Sequence, residues 1–341
     1  MRRRRGHLIG VAGAVLGLAL AGVGATSLPG GAATPRSSSP TWSTPRPLPG
    51  AADPQTVSCP TTTTTCVALD SVGNAFRFDG ASWSAPTPVE TGCSAQTGCG
   101  LVVSCGTAAF CAAMDEGGQT FTYDGTWTRS TALQGPDQFA MFPALSCTPT
   151  QVCVAIDDSG DAFTYQGTWS PHEPTDDASG LSVLSCPTAQ FCAALAGGGS
   201  SGDFALKRGA VWSTGPPIEL PAPQGGSEPN APAALSCPTP TFCGALDTFG
   251  HAYTYRGGHW SGPTRLDDNE NGAASVSCPT PTFCAAVDGL GNVFRYDGSG
   301  WSKQTALKQR NTSLNAVSCA TPRLCVALDS ANGYLVYRPG R

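Results

Sequence analysis

Histidine, aspartate and cysteine are the side chains through which this 341-residue chain could do chemistry, and their spacing separates several uses. Beyond the arginine-rich start, histidine occurs only as His172, His251 and His259. No H-E-x-x-H or P-loop string is present, which excludes the standard forms of those zinc and nucleotide sites. Aspartate is patterned: Asp70, Asp115, Asp157, Asp247 and Asp288 are each followed three residues later by Gly, and Asp329 by Asn332. Six carboxylates around one rim could attract a cation or sugar hydroxyls, which makes them candidate ligand contacts. The competing reading is a hairpin turn in which Asp accepts from its own backbone and Gly takes the positive φ, and it explains both residues together. A different acidic loop, Asp267-Asp268-Asn269-Glu270-Asn271-Gly272, puts oxygen side chains at positions one, three and five and Gly at six. That matches the start of a calcium loop with Asp267, Asn269 and Asn271 as ligands, although the position of the bidentate Glu is Cys278. A solvated acidic turn is the alternative. Phe139, Met141 and Phe142 place apolar side chains in a connection expected to be wet, either as interface anchors or, for Phe142, as the beginning of a core strand.

The cysteines expose the elements that must position these groups. Seven Ser-Cys pairs recur, at Cys59, Cys105, Cys147, Cys186, Cys237, Cys278 and Cys319, and each is followed by a second cysteine and then, two residues on, by Ala. The repeat implies the disulfides Cys59-Cys66, Cys105-Cys111, Cys147-Cys153, Cys186-Cys192, Cys237-Cys243, Cys278-Cys284 and Cys319-Cys325, each closing a hairpin. Cys93-Cys99 lies outside the repeat and is expected to close an insertion between the first two repeats. Zinc is the competing use of close cysteines, but paired C-x-x-C motifs are missing.

A repeat of about 40 residues with four short strands is the period of a propeller blade. In the sixth repeat the strands are expected near 274–278, 283–288, 292–296 and 300–305. Trp83, Trp127, Trp169, Trp212, Trp260 and Trp301 close the first six repeats, whereas the seventh ends without one and Trp42 stands ahead of the first Cys pair. A chain that supplies the last strand of its last repeat from its N-terminal side closes a ring, where an open solenoid would need caps. The expected fold is therefore all-β: a seven-bladed β-propeller of four-stranded blades over 41–341, the last blade completed by the strand around Trp42. The fourth repeat departs from the pattern, with a Gly-Ser-rich stretch from 196 to 203 in place of the tight turn and Leu206 where a Tyr is expected.

Residues 1–25, with Arg2 to Arg5, an apolar run and a small-residue ending, read as a cleavable export signal, and 26–40 as a flexible spacer. Oxidised cysteines fit a secreted or cell-surface protein. Loss of the signal removes four arginines, leaving 15 basic against 24 acidic residues, a poor footprint for nucleic acid or an anionic membrane. No membrane insertion is expected after cleavage, and a self-contained ring is expected to be a monomer.

The repeat S-C-P-T-x-x-x-C-x-A-x-D-x-x-G-x-x-x-x-Y-D-G-x-x-W-S resembles repeats of secreted bacterial β-propeller proteins, and its aromatic-Gly-Trp ending is distantly similar to kelch and Asp-box propeller repeats. The resemblance covers 41–341 and implies architecture far more than activity, since propellers host lectins, binding hubs, hydrolases and lyases. Asp-box propellers include sialidases, which need three converging arginines. Arg77, Arg256 and Arg295 fall at or just beyond the third strands, where outer blade surfaces are expected, and the box S-x-D-x-G-x-x-W is absent. The expectation is a non-catalytic extracellular module binding a glycan or protein on its loop-rich face and requiring no cofactor, with calcium as the ion its acidic loop would take. The alternatives are a polysaccharide-active hydrolase or lyase, needing a carboxylate pair at the channel mouth, and a purely structural surface protein.

Overall fold

The computed structural model describes residues 41–93, 98–133, 140–175, 180–197, 201–222, 230–266, 272–306 and 313–338. The expected signal, the spacer, Phe139 and the loop carrying Asp267, Asn269 and Asn271 lie outside them. The described chain is all strand and turn, in seven antiparallel sheets. Six sheets are consecutive, at 54–88, 102–132, 144–174, 181–219, 232–265 and 273–306; they are blades 1 to 6. Blade 7 joins Leu314–Thr321, Leu324–Asp329 and Gly333–Arg338 to Thr41–Trp42, with Thr41 opposite Arg338 and Trp42 opposite Tyr337. Arg46–Pro47 continues along the same third strand, and Leu48 N–H donates to the Asn332 carbonyl. The seven-bladed propeller and its closure by Trp42 are as the repeat implied.

Each sequence signature has a local cause. The eight expected disulfides all form; the seven of the repeat join first and second strands, with Cα atoms 3.9 to 4.1 Å apart. The Ala two residues beyond each hairpin cysteine is fully buried in every blade, in the face that meets the preceding blade. The Asp turns work as hairpin closures: Asp288 Oδ1 accepts from the N–H groups of Leu290 and Asn292, and Gly291 takes φ 76°. Asn332, with φ 63°, does the same in blade 7. In six blades a Ser follows the closing Trp and ties the fourth strand to the third; blade 2 has Thr128 there. Ser84, Ser170 and Ser43 hydroxyls accept from Arg77, Thr164 and Val336 N–H, and Ser213, Ser261 and Ser302 donate to third-strand carbonyls.

The core lies between blades rather than inside any one of them. Seven apolar clusters each combine residues of two neighbouring blades, so every blade needs both neighbours to bury its two faces. An aromatic on the third strand packs at a tilt against the closing Trp, as Tyr123–Trp127, Tyr255–Trp260 and Tyr296–Trp301 do at 5.4 to 5.5 Å. Blade 4 differs in a way the sequence reading misplaced by one residue. Cys192 faces Lys207, as Cys243 faces Tyr255, so Lys207 and not Leu206 stands in the Tyr position. Phe204 and Leu206 point instead into the seam with blade 5.

Candidate functional site

The axial mouth is built from the Ser-Cys pairs. Around the ring each cysteine N–H donates to the serine hydroxyl of the preceding blade, from Cys105 to Ser58 through Cys319 to Ser277, and Cys59 to Ser318 closes the circle. All seven distances are 2.8 to 2.9 Å. The serine of the repeat is thus the hook between blades, a role its spacing in sequence did not disclose. The cavity at this mouth, about 190 Å³, is lined by five of those serines and the first cysteine of each pair with Pro, Thr and Gly, and its lining includes neither carboxylate nor histidine.

The aspartate turns gather at the face that also holds the connections between blades. Asp158 N–H donates to Met141 carbonyl, and Thr248 N–H to Ala231 carbonyl. Asp70, Asp157, Asp247, Asp288 and Asp329 are buried beneath that face, and Asp115 is half-buried; all six accept from their own turn amides. Met141 is exposed, whereas Phe142 is buried against Phe163 in the seam of blades 2 and 3.

Two of these turns carry more than a turn needs. Asp247 Oδ2 accepts from Tyr253 Oη at 2.7 Å and Asn230 Nδ2 at 2.8 Å, and lies 3.0 Å from His251 Nδ1. Burial, and then the hydrogen bond to Asp247, push the Tyr253 hydroxyl far above its ordinary pKa. In blade 3 the residue four beyond the turn Asp is Asp161, where blades 1 and 6 place Asn74 and Asn292 to donate to Oδ2. Asp157 Oδ2 is consequently buried with no hydrogen-bond partner among the described residues, while Asp161 lies 3.2 Å from His172. Burial holds the Asp157 carboxyl above its ordinary value; the Asp161 charge adds to this, and the Asp161 and Ser159 amides oppose it.

Lys207 makes a charged contact between blades. Its ammonium reaches Glu173 Oε2 at 2.8 Å and Thr164 at 3.1 Å across the seam of blades 3 and 4. Arg77, Arg256 and Arg295 do not converge: they lie over the rings of Tyr123, Phe242 and Phe283 respectively, each at its own seam.

The larger opening is lateral. Between blades 1 and 2 a groove of about 410 Å³ is lined by Val67, Ala75, Phe76 and Arg77 on one side and Tyr123, Thr126 and Trp127 on the other, with Ser84, Thr87 and Pro88 at its edge. It exists for two reasons. The outer strand of blade 1 leaves the ladder between Trp83 and Thr87, and Ala75 supplies only a methyl group toward blade 2. None of the residues proposed from the sequence as ligand contacts lines it, and Arg77, expected on an outer blade surface, does; the signal lay in the register of the repeats.

The fold has solved counterparts. The YCF48 protein from Cyanidioschyzon merolae matches with a TM-score of 0.62 at 11% identity, over 87% of this chain and 98% of that one. A structure titled YCF48 bound to D1 peptide matches at 0.63 and 13% identity, over 88% and 97% of the two chains. A catalytically inactive variant of virginiamycin B lyase from Staphylococcus aureus, solved with quinupristin, matches at 0.68 and 5% identity, over 87% and 99%. No family model matches the sequence, and no curated protein matches it either. At these identities the shared property is the seven-bladed propeller.

Proposed function

We propose that this protein is an exported, monomeric recognition module that binds an extracellular protein or a glycan without performing chemistry on it. Residues 1–25 serve as the export signal and 26–40 as the spacer to the ring. Calcium, if bound, sits in the loop of Asp267, Asn269 and Asn271, and no cofactor is required. The observation that carries this reading is the lateral groove, in which a guanidinium, two aromatic rings and several hydroxyls converge on a disulfide-pinned frame. Eight disulfides are typical of extracellular proteins, and among the described residues no helix is long and apolar enough to cross a membrane. A propeller of this architecture holds a peptide in the YCF48 complex, which supports protein ahead of glycan.

A second reading, an extracellular enzyme acting on polysaccharide, draws on the Asp247–His251 pair, where a carboxylate orients an imidazole as a general base requires. The full oxidised chain should be screened against immobilised glycans and extracellular proteins, with calcium and with chelator, and retained ligands analysed by mass spectrometry. Ligand retained intact is the expected result. Cleaved glycan would replace the binding reading with the enzymatic one.

A further inference from the structure

The molecule contains its own models of an occupant for the groove between blades 1 and 2. Ala75 stands opposite Leu69 in its hairpin; the same register is held by Phe204 opposite Leu195 in blade 4 and by Tyr334 opposite Leu328 in blade 7. At those two seams the ring enters the wedge between the next blade's third-strand aromatic and its closing Trp. Phe204 lies 5.2 Å from Tyr255 and 5.1 Å from Trp260, at 65° and 69°. Tyr334 lies 6.5 Å from Phe78 and 5.6 Å from Trp83, at 57° and 70°. Three of the four, all but Tyr334 with Phe78, are the edge-to-face arrangement that the ring quadrupole favours.

Blade 2 presents the same wedge, Tyr123 and Trp127 at 5.4 Å and 50°, close to the 53° of Tyr255 and Trp260. With Ala75 in front of it, the third ring is missing. Seam 3–4 also joins a small residue, Ala162, to an interrupted outer strand, but there Lys207 reaches across to Glu173. Arg77 is the one charged side chain lining the groove. It donates to the Ala108 carbonyl and lies over Tyr123, and no carboxylate among the described residues pairs with it.

We propose that this seam binds an aromatic side chain of a partner polypeptide, followed by an acidic residue that meets Arg77. The inference rests on the recognition reading above and specifies its partner. The ring takes the place that Phe204 and Tyr334 hold at their seams, and its edge meets Trp127. A volume of about 410 Å³ lies near the lower end of the roughly 300 to 1,000 Å³ range of ligand pockets, enough for one ring and its flanking backbone. The wedge suits a ring inserted edge-on better than a sugar laid flat. A guanidinium with unused donors supplies the fork that a carboxylate fits.

The test titrates the full oxidised chain with capped pentapeptides Gly-Gly-X-Asp-Gly, X being Phe, Tyr, Trp, Leu or Ala, followed by tryptophan fluorescence and calorimetry. The aromatic peptides should bind at least tenfold tighter than the Ala peptide. Replacing their Asp by Asn should weaken them about threefold or more, and Arg77→Gln should erase that difference. Ala75→Phe, which installs the ring present in blade 4, should abolish binding; should it not fold, Ala75→Ile should weaken binding at least tenfold. Equal binding of aromatic and Ala peptides, or unchanged binding by a folded Ala75 variant, overturns the proposal. Oligosaccharide competing at the groove where peptides fail overturns it too. Ligands from the wider screen that ignore Ala75→Phe would leave the protein a binding module with its site elsewhere, whereas failure of the whole screen would remove the recognition reading itself.

Discussion

Loss of one serine hydroxyl from the axial ring isolates the effect of a single hook. Ser277→Ala leaves the N–H of the buried Cys319 without its acceptor and should lower stability by about 1 to 3 kcal/mol in urea unfolding of the oxidised protein, with the fold intact. Asp157 gives a prediction of the opposite sign. Its pKa is raised above the ordinary 3.8, so its contribution to stability is fully present below that value and is lost as pH rises through the higher folded value. Asp157→Asn keeps the oxygen that accepts from Ser159 and Asp161 and turns the orphan oxygen into a donor beside Asp161, with Asp158 and His172 the other titratable neighbours. The variant should match the parent near pH 3 and become progressively more stable than it toward about pH 7, as measured by urea midpoints across that range. Asp and Gly at a fixed offset made the turn legible in the sequence, because both residues act within it. Ser58 or Ser277 was equally regular and yet silent, since its partner sits in another blade some forty residues away.

At the scale of the strand and hairpin, the cross-links and the seams can be varied separately. Replacing Cys278 and Cys284 together by Ser opens one hairpin while six of its kind remain, and the chain-entropy model gives a loss of roughly 2 kcal/mol, read from thermal and urea midpoints. Blade 4 offers a sharper comparison. Glu173→Gln takes the counter-charge from Lys207 and should cost about 1 to 2 kcal/mol, below the usual range for buried pairs because Glu173 keeps part of its surface in water. Lys207→Tyr restores the residue found at this register in blades 2, 3, 5, 6 and 7, and should be neutral or stabilising in the same assay. That register was not readable from spacing. The Gly-Ser stretch before strand Ser201–Arg208 has no fixed length to count from, and only the pairing of Cys192 with Lys207 sets the phase. The lateral groove was hidden for a related reason: Ala75 is unremarkable in its own repeat and becomes informative only beside Phe204 and Tyr334.

For the whole molecule, circular closure was the most legible property, because a tryptophan missing from one end reappears as Trp42 at the other. Trp42→Ala removes its packing against Tyr337 and should lower the thermal midpoint by the equivalent of about 3 kcal/mol, the low end for Trp truncation because the ring is partly exposed. The loss should appear as destabilisation of the entire ring in a single transition, since each seam is shared by two blades. That same join also fixes an order of events. The ribosome makes residues 41–47 well before their partners at 333–338, which are among the last described residues of the chain. For nearly the whole of the ring's synthesis the opening strand has no ladder to enter, and a product cut short by one repeat can never offer it one. Completion of the sheet therefore reports that the seventh repeat has been made, and any unfinished copy keeps an unpaired edge by which quality-control proteases can tell it from a finished one.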